Sequence, residues 1–155
     1  MPVPVDHSND NSIKDLFDQI KSEQQNKLHV LVNNAYAGVD FISRHTGKKF
    51  YVADPCEQWD IINGVGLRNH FICTTYASRM MVEQKDGLIV NISSPGGLKY
   101  LFNVAYGIGK AGKDRMAADC AKELKRDNVT MISLWPGAVK TEYIEENILK
   151  KGISI

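Results

Sequence analysis

GLIVNISSPGGLKYLFNVAYGIGK, residues 87–110, joins an apolar run to a serine pair and then to a tyrosine and a lysine four residues apart. The run at 88–92 is short and apolar at nearly every position, the pattern of a strand buried in a parallel sheet. Ser93 and Ser94 close it. Residues i and i+4 of a helix lie one above the other, so Tyr106 and Lys110 share a face. A phenol with a pKa of ~10 exchanges protons poorly at neutral pH. A fixed cation beside it favours the phenolate. Bringing the phenol near 7 takes about three units, or roughly 4 kcal/mol. The outcome is a general acid/base suited to working pH. Taken alone, the Tyr-x-x-x-Lys spacing is also that of an ordinary amphipathic turn, and its company separates the two readings.

Working outward, LHVLVNNAYAG at 28–38 is a second apolar run ending in a polar turn, and VTMISLWPGAVKT at 129–141 is a third. Residues 3–5 read as the tail of a further strand. Helix-length segments lie between. Ser12 is a candidate cap for a helix with Ile13, Leu16, Phe17 and Ile20 on one face. Residues 57–82 read as one long helix, weakened in the middle by Gly64 and Gly66 at up to ~1 kcal/mol each. Residues 106–125 and 142–151 read as helices, and 36–56 as a long loop of the kind that is functional or mobile. Alternation of strand and helix predicts an α/β fold, a doubly wound parallel sheet covered on both faces. Ligands of such sheets lie beyond the carboxyl ends of the strands. Asn34, Ser94 and Pro136 each follow directly on such an end.

With these motifs together, from about residue 3 to 141, the chain resembles the short-chain dehydrogenase/reductase family. NNAYAG is similar to the family's Asn-Asn-Ala-Gly turn with an insertion, NISS to its serine strand end, YGIGK to its Tyr-x-x-x-Lys and WPGAVKT to its Pro-Gly-x-Val-x-Thr loop. The wording NNAYAG, ISSPG and LWPG points within the family to one subgroup. The resemblance implies a Rossmann-like domain that moves a hydride between NAD or NADP and a small carbonyl or alcohol substrate. It makes Tyr106 the acid/base and Lys110 the cation that tunes it and bonds the nicotinamide ribose. Ser94 holds the substrate oxygen, with Ser93 competing for that role. Asn33 and Asn34 fall on the adenosine ribose side, or are turn formers only. Asp6 matches a contact to adenine, or is a loop cap. Arg68 aligns near the ribose, or is a solvated helix arginine. Val139 and Thr141 match contacts to the carboxamide and phosphate, and Pro136-Gly137 is their turn. One departure stands out: Gly66 occupies the place of an asparagine that joins a proton relay, and Asn63 and Asn69 lie about one turn to either side.

The chain of 155 residues fits one partial domain, 1–155. Its 19 basic against 18 acidic residues, with no basic stripe interleaved with aromatics, give no sign of a phosphate-backbone binder, so no nucleic-acid partner is expected. No apolar run approaches the ~20 residues of a membrane span. Cys56, Cys73 and Cys120 match no metal spacing and suit a reducing compartment, the cytoplasm or the cytosolic face of an intracellular membrane. No glycine-rich dinucleotide turn is found, since it would precede residues 3–6. The first βαβ unit and the C-terminal strand are therefore expected to lie outside this chain. That expectation carries an alternative function: an impaired fragment acting only as an interaction or dimerisation module. The family's dimer face implies a homodimer through the two long helices, with Leu67, Phe71, Cys73 and Tyr76 on one and Met116 and Cys120 on the other.

Overall fold

The computed structural model describes residues 1–137 and 139–147. Helix α1 (Asp10–Glu23) opens on Asn9, whose side chain accepts from the backbone N–H groups of Asn11 and Ser12. Ser12 is thus not the cap, and its Oγ accepts from the Asp6 N–H at 3.0 Å instead. Strand β1 (Val30–Asn33) follows, then α2 (Val39–Arg44), which forms within the segment expected to be loop. Helix α3 (Pro55–Trp59) starts with Pro55 in the first turn and Asp54 as its cap. After it, residues Asp60–Arg68 wind in a wide turn and break at Val65 and Gly66 before α4 (Asn69–Gln84). The remaining elements are β2 (Gly87–Ile92), α5 (Val104–Leu124, capped by Asn103), β3 (Val129–Leu134) and α6 (Glu142–Asn147). The expected extension of α6 over 148–151 lies outside the described residues.

The strands form one parallel sheet in the order β1-β2-β3. Val32, Val90 and Ile132 stand in register, as do Asn33, Asn91 and Ser133. Residues 3–5 do not join it. α1, α4 and α5 cover one face and bury Ile13, Phe17, Ala77, Met81, Ile89, Ala117 and Met131. The other face is bare among the described residues, leaving Val30 and Val32 each 52% exposed and Leu134 48%. A Rossmann-like sheet is thus present in part, without the second helical layer of a complete doubly wound domain. A smaller cluster of Phe41, Ile62, Ala105 and Tyr106 sits near the carboxyl ends of the strands.

The expected single helix over 57–82 is two helices. At Gly66 φ is +153°, and a Cβ there would lie 2.6 Å from the Tyr36 ring. The chain turns aside to let that ring in, which requires a residue without a side chain.

Candidate active site

Two strand ends and one helix build the site. β2 ends at Ile92; Ser93 and Ser94 follow. Ser93 is buried, and its hydroxyl donates to the Lys110 carbonyl at 3.2 Å, tying the strand end to α5. Ser94 turns the other way: its Oγ accepts from the Gly96 N–H at 3.1 Å and, like the Tyr106 ring, borders the space beside Gly96. Ser93 thus anchors β2 to α5, while Ser94 Oγ and the Tyr106 ring share the surroundings of Gly96. Asn103 sets the start of α5 by accepting from the Tyr106 N–H at 2.8 Å. Gly96 fits against the Tyr106 ring, where a Cβ would come within 2.5 Å.

Lys110 Nζ lies 5.4 Å from the centre of the Tyr106 ring and 5.2 Å from that of Tyr36. It donates to the Ile92 carbonyl at 3.3 Å. Burial pushes the Tyr106 phenol above its ordinary value, and the bond with Ser94 pulls it partway back. The lowering expected from Lys110 is not seen: Lys110 shares the same dry surroundings, which disfavour its own charge.

Tyr36, the residue inserted in the NNAYAG turn, is the feature that sequence patterning missed. Its ring meets Tyr106 edge-on at 6.1 Å, and its buried hydroxyl has no hydrogen-bond partner. Burial drives that phenol far up. His70 holds the turn by a bond from Nε2 to the Ala35 carbonyl at 2.9 Å. That bond makes Nε2 the protonated nitrogen of a neutral ring, and burial lowers the His70 pKa to about 3.

A cavity of about 420 Å³ opens in front of these groups, lined by Asn34, Tyr36, Ile92, Phe102, Tyr106, Lys110 and Val139 among others. Asn34, Tyr106, Lys110 and Val139 are therefore brought together. The other expected contacts are placed differently. Asn33 is buried and donates to Asn91 Oδ1 at 2.8 Å and Thr74 Oγ1 at 2.9 Å, so its side chain locks strands to α4. Asp6 caps its own turn, accepting from the Ser8 N–H and hydroxyl. Arg68 is held in a two-pronged pair with Asp10 at 2.5 and 2.6 Å. Pro136 and Gly137 follow β3, and the Thr141 carbonyl accepts from the Glu145 N–H at 2.9 Å in α6. Of the two relay candidates, Asn63 borders the lysines, donating to the Ala105 carbonyl at 3.2 Å, whereas Asn69 accepts from the Gly66 N–H at 2.6 Å. Of the expected dimer contacts, Cys73 is buried in the chain's own core and Tyr76 stacks on Phe17 at 5.4 Å. No helix among the described residues is long and apolar enough to cross a membrane.

A family model described as short chain dehydrogenase matches residues 1–151. The chain is 52% identical over 151 residues to dehydrogenase/reductase SDR family member 1 of Mus musculus, covering 97% of this chain and 48% of that protein. It is 51% identical over 153 residues to the Homo sapiens protein of the same name, covering 99% and 49%. These proteins form the subgroup to which the wording NNAYAG, ISSPG and LWPG points. The chain spans about half the length of the curated relatives it matches. Among solved structures, a metagenomic short-chain oxidoreductase in complex with NADP superposes with a TM-score of 0.75 at 27% identity, covering 88% of this chain and 59% of that one.

Proposed function

The chain belongs to the short-chain dehydrogenase family, and from that premise we propose that Ser94, Tyr106 and Lys110 serve hydride exchange between NAD or NADP and a small carbonyl or alcohol substrate. One observation carries the proposal: Ser94 Oγ and the Tyr106 ring both border Gly96, and Lys110 Nζ lies 5.4 Å from the centre of that ring, at the strand ends. The residues fit the nicotinamide half of such a cofactor. Asn34 and Lys110 offer polar groups for a ribose, and Ile92, Phe102 and Val139 offer an apolar wall for a ring. Asp6 and Arg68, expected near the other half, are engaged with Ser8 and Asp10.

When bound, the cofactor supplies or accepts the hydride. Tyr106 gives its phenolic proton to the substrate oxygen in reduction and takes one up in oxidation. Burial keeps that phenol protonated at neutral pH, the form that reduction needs. Ser94 donates to the same oxygen as negative charge grows on it. Lys110 stabilises the phenolate left behind. A homodimer through α4 and α5 accompanies this reading, with Phe71, 59% exposed, on a groove that also holds Arg79 and Cys120.

The test is a titration of the chain with NADH and NADPH, read by nicotinamide fluorescence, together with turnover of a carbonyl panel. Saturable binding is expected, with Tyr106→Phe keeping it while losing at least about a hundredfold in kcat. An absence of saturable binding favours the alternative, a non-enzymatic interaction or dimerisation module.

A further inference from the structure

Lys113 has no role in the reading above, yet it is among the most buried side chains, only 2% exposed. It lies one turn beyond Lys110 on α5. Its Nζ donates to the Ile92 carbonyl at 3.0 Å, the oxygen that also accepts from Lys110 at 3.3 Å. Sharing that oxygen sets the two amines side by side. Both lie over the Tyr36 ring, Lys110 at 5.2 Å and Lys113 at 5.8 Å from its centre. A cavity of about 10 Å³ borders the pair, lined by Asn63, Gly66 and Tyr106, room for at most one water.

A buried lysine ordinarily meets a carboxylate. Among the described residues no ion pair links Lys113 to one. Asp114, its neighbour on α5, accepts from the Ser133 hydroxyl and from Trp135 Nε1 on the β3 side. Across from α5, α4 presents His70, kept neutral by burial, and the NNAYAG turn presents Tyr36. Two ammonium groups on one carbonyl, with no anion between them, repel strongly in dry surroundings. One proton fewer on the pair removes that repulsion and turns it into a charged donor bonded to a neutral acceptor.

We infer that Lys113 is a positioning residue for the proton supply of this site, an uncharged amine that shares the charge of Lys110. The inference rests on the oxidoreductase reading for its use in turnover. In reduction, Tyr106 loses its proton to the substrate oxygen and recovers one from Lys110 by way of an intervening hydroxyl or water. Lys110 is then neutral, and the repulsion on Lys113 disappears. Lys113 takes a proton from water and passes it to Lys110, its neighbour on the Ile92 carbonyl. One proton enters for each proton delivered, and Lys113 ends as it began. Burial and the Lys110 charge lower the Lys113 pKa to about 7, against a smaller opposing pull from the Asp114 carboxylate.

The first test needs no cofactor. The chain is labelled with ε-13C lysine and titrated by NMR. One resonance is expected to titrate near 7 and to vanish in Lys113→Met, which replaces the amine by an apolar chain of similar size. In Lys110→Met that midpoint is expected to rise by about one unit, because the like charge is gone. A Lys113 midpoint in the ordinary lysine range, near ~10.4, overturns the inference, as does a midpoint that ignores Lys110→Met. The second test is the pH profile of turnover. Lys113→Met is expected to lower kcat about tenfold on the alkaline side, where protons are scarce, with KM within about twofold. Turnover with an unchanged profile in that variant overturns the inference. The expected titrations without turnover in the parent chain tell against the oxidoreductase reading alone.

Discussion

Tyr36 shows how one side chain can shape this site from an unfavourable position. Its hydroxyl is buried without a partner, while its ring fills the space between Tyr106, Gly66 and the two lysines. An unsatisfied buried hydroxyl costs about 1–3 kcal/mol, and removing it while keeping the ring recovers much of that. Tyr36→Phe is therefore expected to leave the fold intact and to raise stability by about 1 kcal/mol, read as a higher thermal midpoint. A lower midpoint would show that the hydroxyl makes an interaction worth keeping. Tyr36→Ala acts in the opposite sense. It removes the ring that screens Lys110 and Lys113, and leaves a void worth about 3–5 kcal/mol. None of this was legible in the sequence, because an aromatic residue inside a polar turn carries no periodicity that says which way it points. Lys113 was equally hidden. A lysine on an amphipathic helix reads as solvated, and only packing reveals that its amine ends on the Ile92 carbonyl.

The elements were more legible than their contacts, for a physical reason. Strands inside a parallel sheet are continuous apolar runs, so the runs ending at Asn33, Ile92 and Leu134 announced β1, β2 and β3. Helical spacing likewise put Tyr106 and Lys110 on one face of α5. Long-range pairing was not legible: Arg68 finds Asp10 and Asn33 finds Asn91, partners 58 residues away in both cases. The break before α4 was misread as a mild weakness because two glycines two residues apart play unlike parts. Gly64 keeps ordinary helical backbone and open space around its Cα. Gly64→Ala is expected to stabilise by about 0.5–1 kcal/mol, since it removes backbone freedom from the unfolded chain. Gly66 holds a φ of +153° with the Tyr36 ring against it. Gly66→Ala is expected to destabilise by about 2 kcal/mol or more, as strain and overpacking add. Denaturant melts of both variants decide the matter, and equal midpoints would refute the separate roles.

At the scale of the whole molecule, the buried ionisable groups make the stability of the chain depend on pH in an unusual direction. His70 sits near 3, below its unfolded value of ~6.5, so the unfolded chain binds more protons across that window. Stability therefore rises with pH up to about 6.5, where the His70 contribution is complete. Lys113 works in the same sense higher up. Its folded value of about 7 lies well below an unfolded ~10.4, so stability keeps rising with pH between the two. Cys73 opposes it: burial raises the thiol to about 11, and stability falls as pH climbs from ~8.5. Tyr36 and Tyr106, both raised, add to the loss above ~10. From about 7 to 8.5 Lys113 leads, with Lys110, also lowered by burial, acting in the same sense, and a full proton is worth about 1.4 kcal/mol per pH unit. A gain of about 1–2 kcal/mol over that interval follows. The stability maximum should therefore fall between about pH 8.5 and 10, above the common range of ~5 to 8. Thermal melts across this range read it directly. Lys113→Met should raise the midpoint at pH 7 and flatten the climb toward 8.5, because the uncharged chain has nothing to lose on burial. A midpoint that falls from pH 7 to 8.5 in the parent chain would mean that the Lys113 amine is charged inside the fold. Its proximity to Lys110 would then require an anion at the pair.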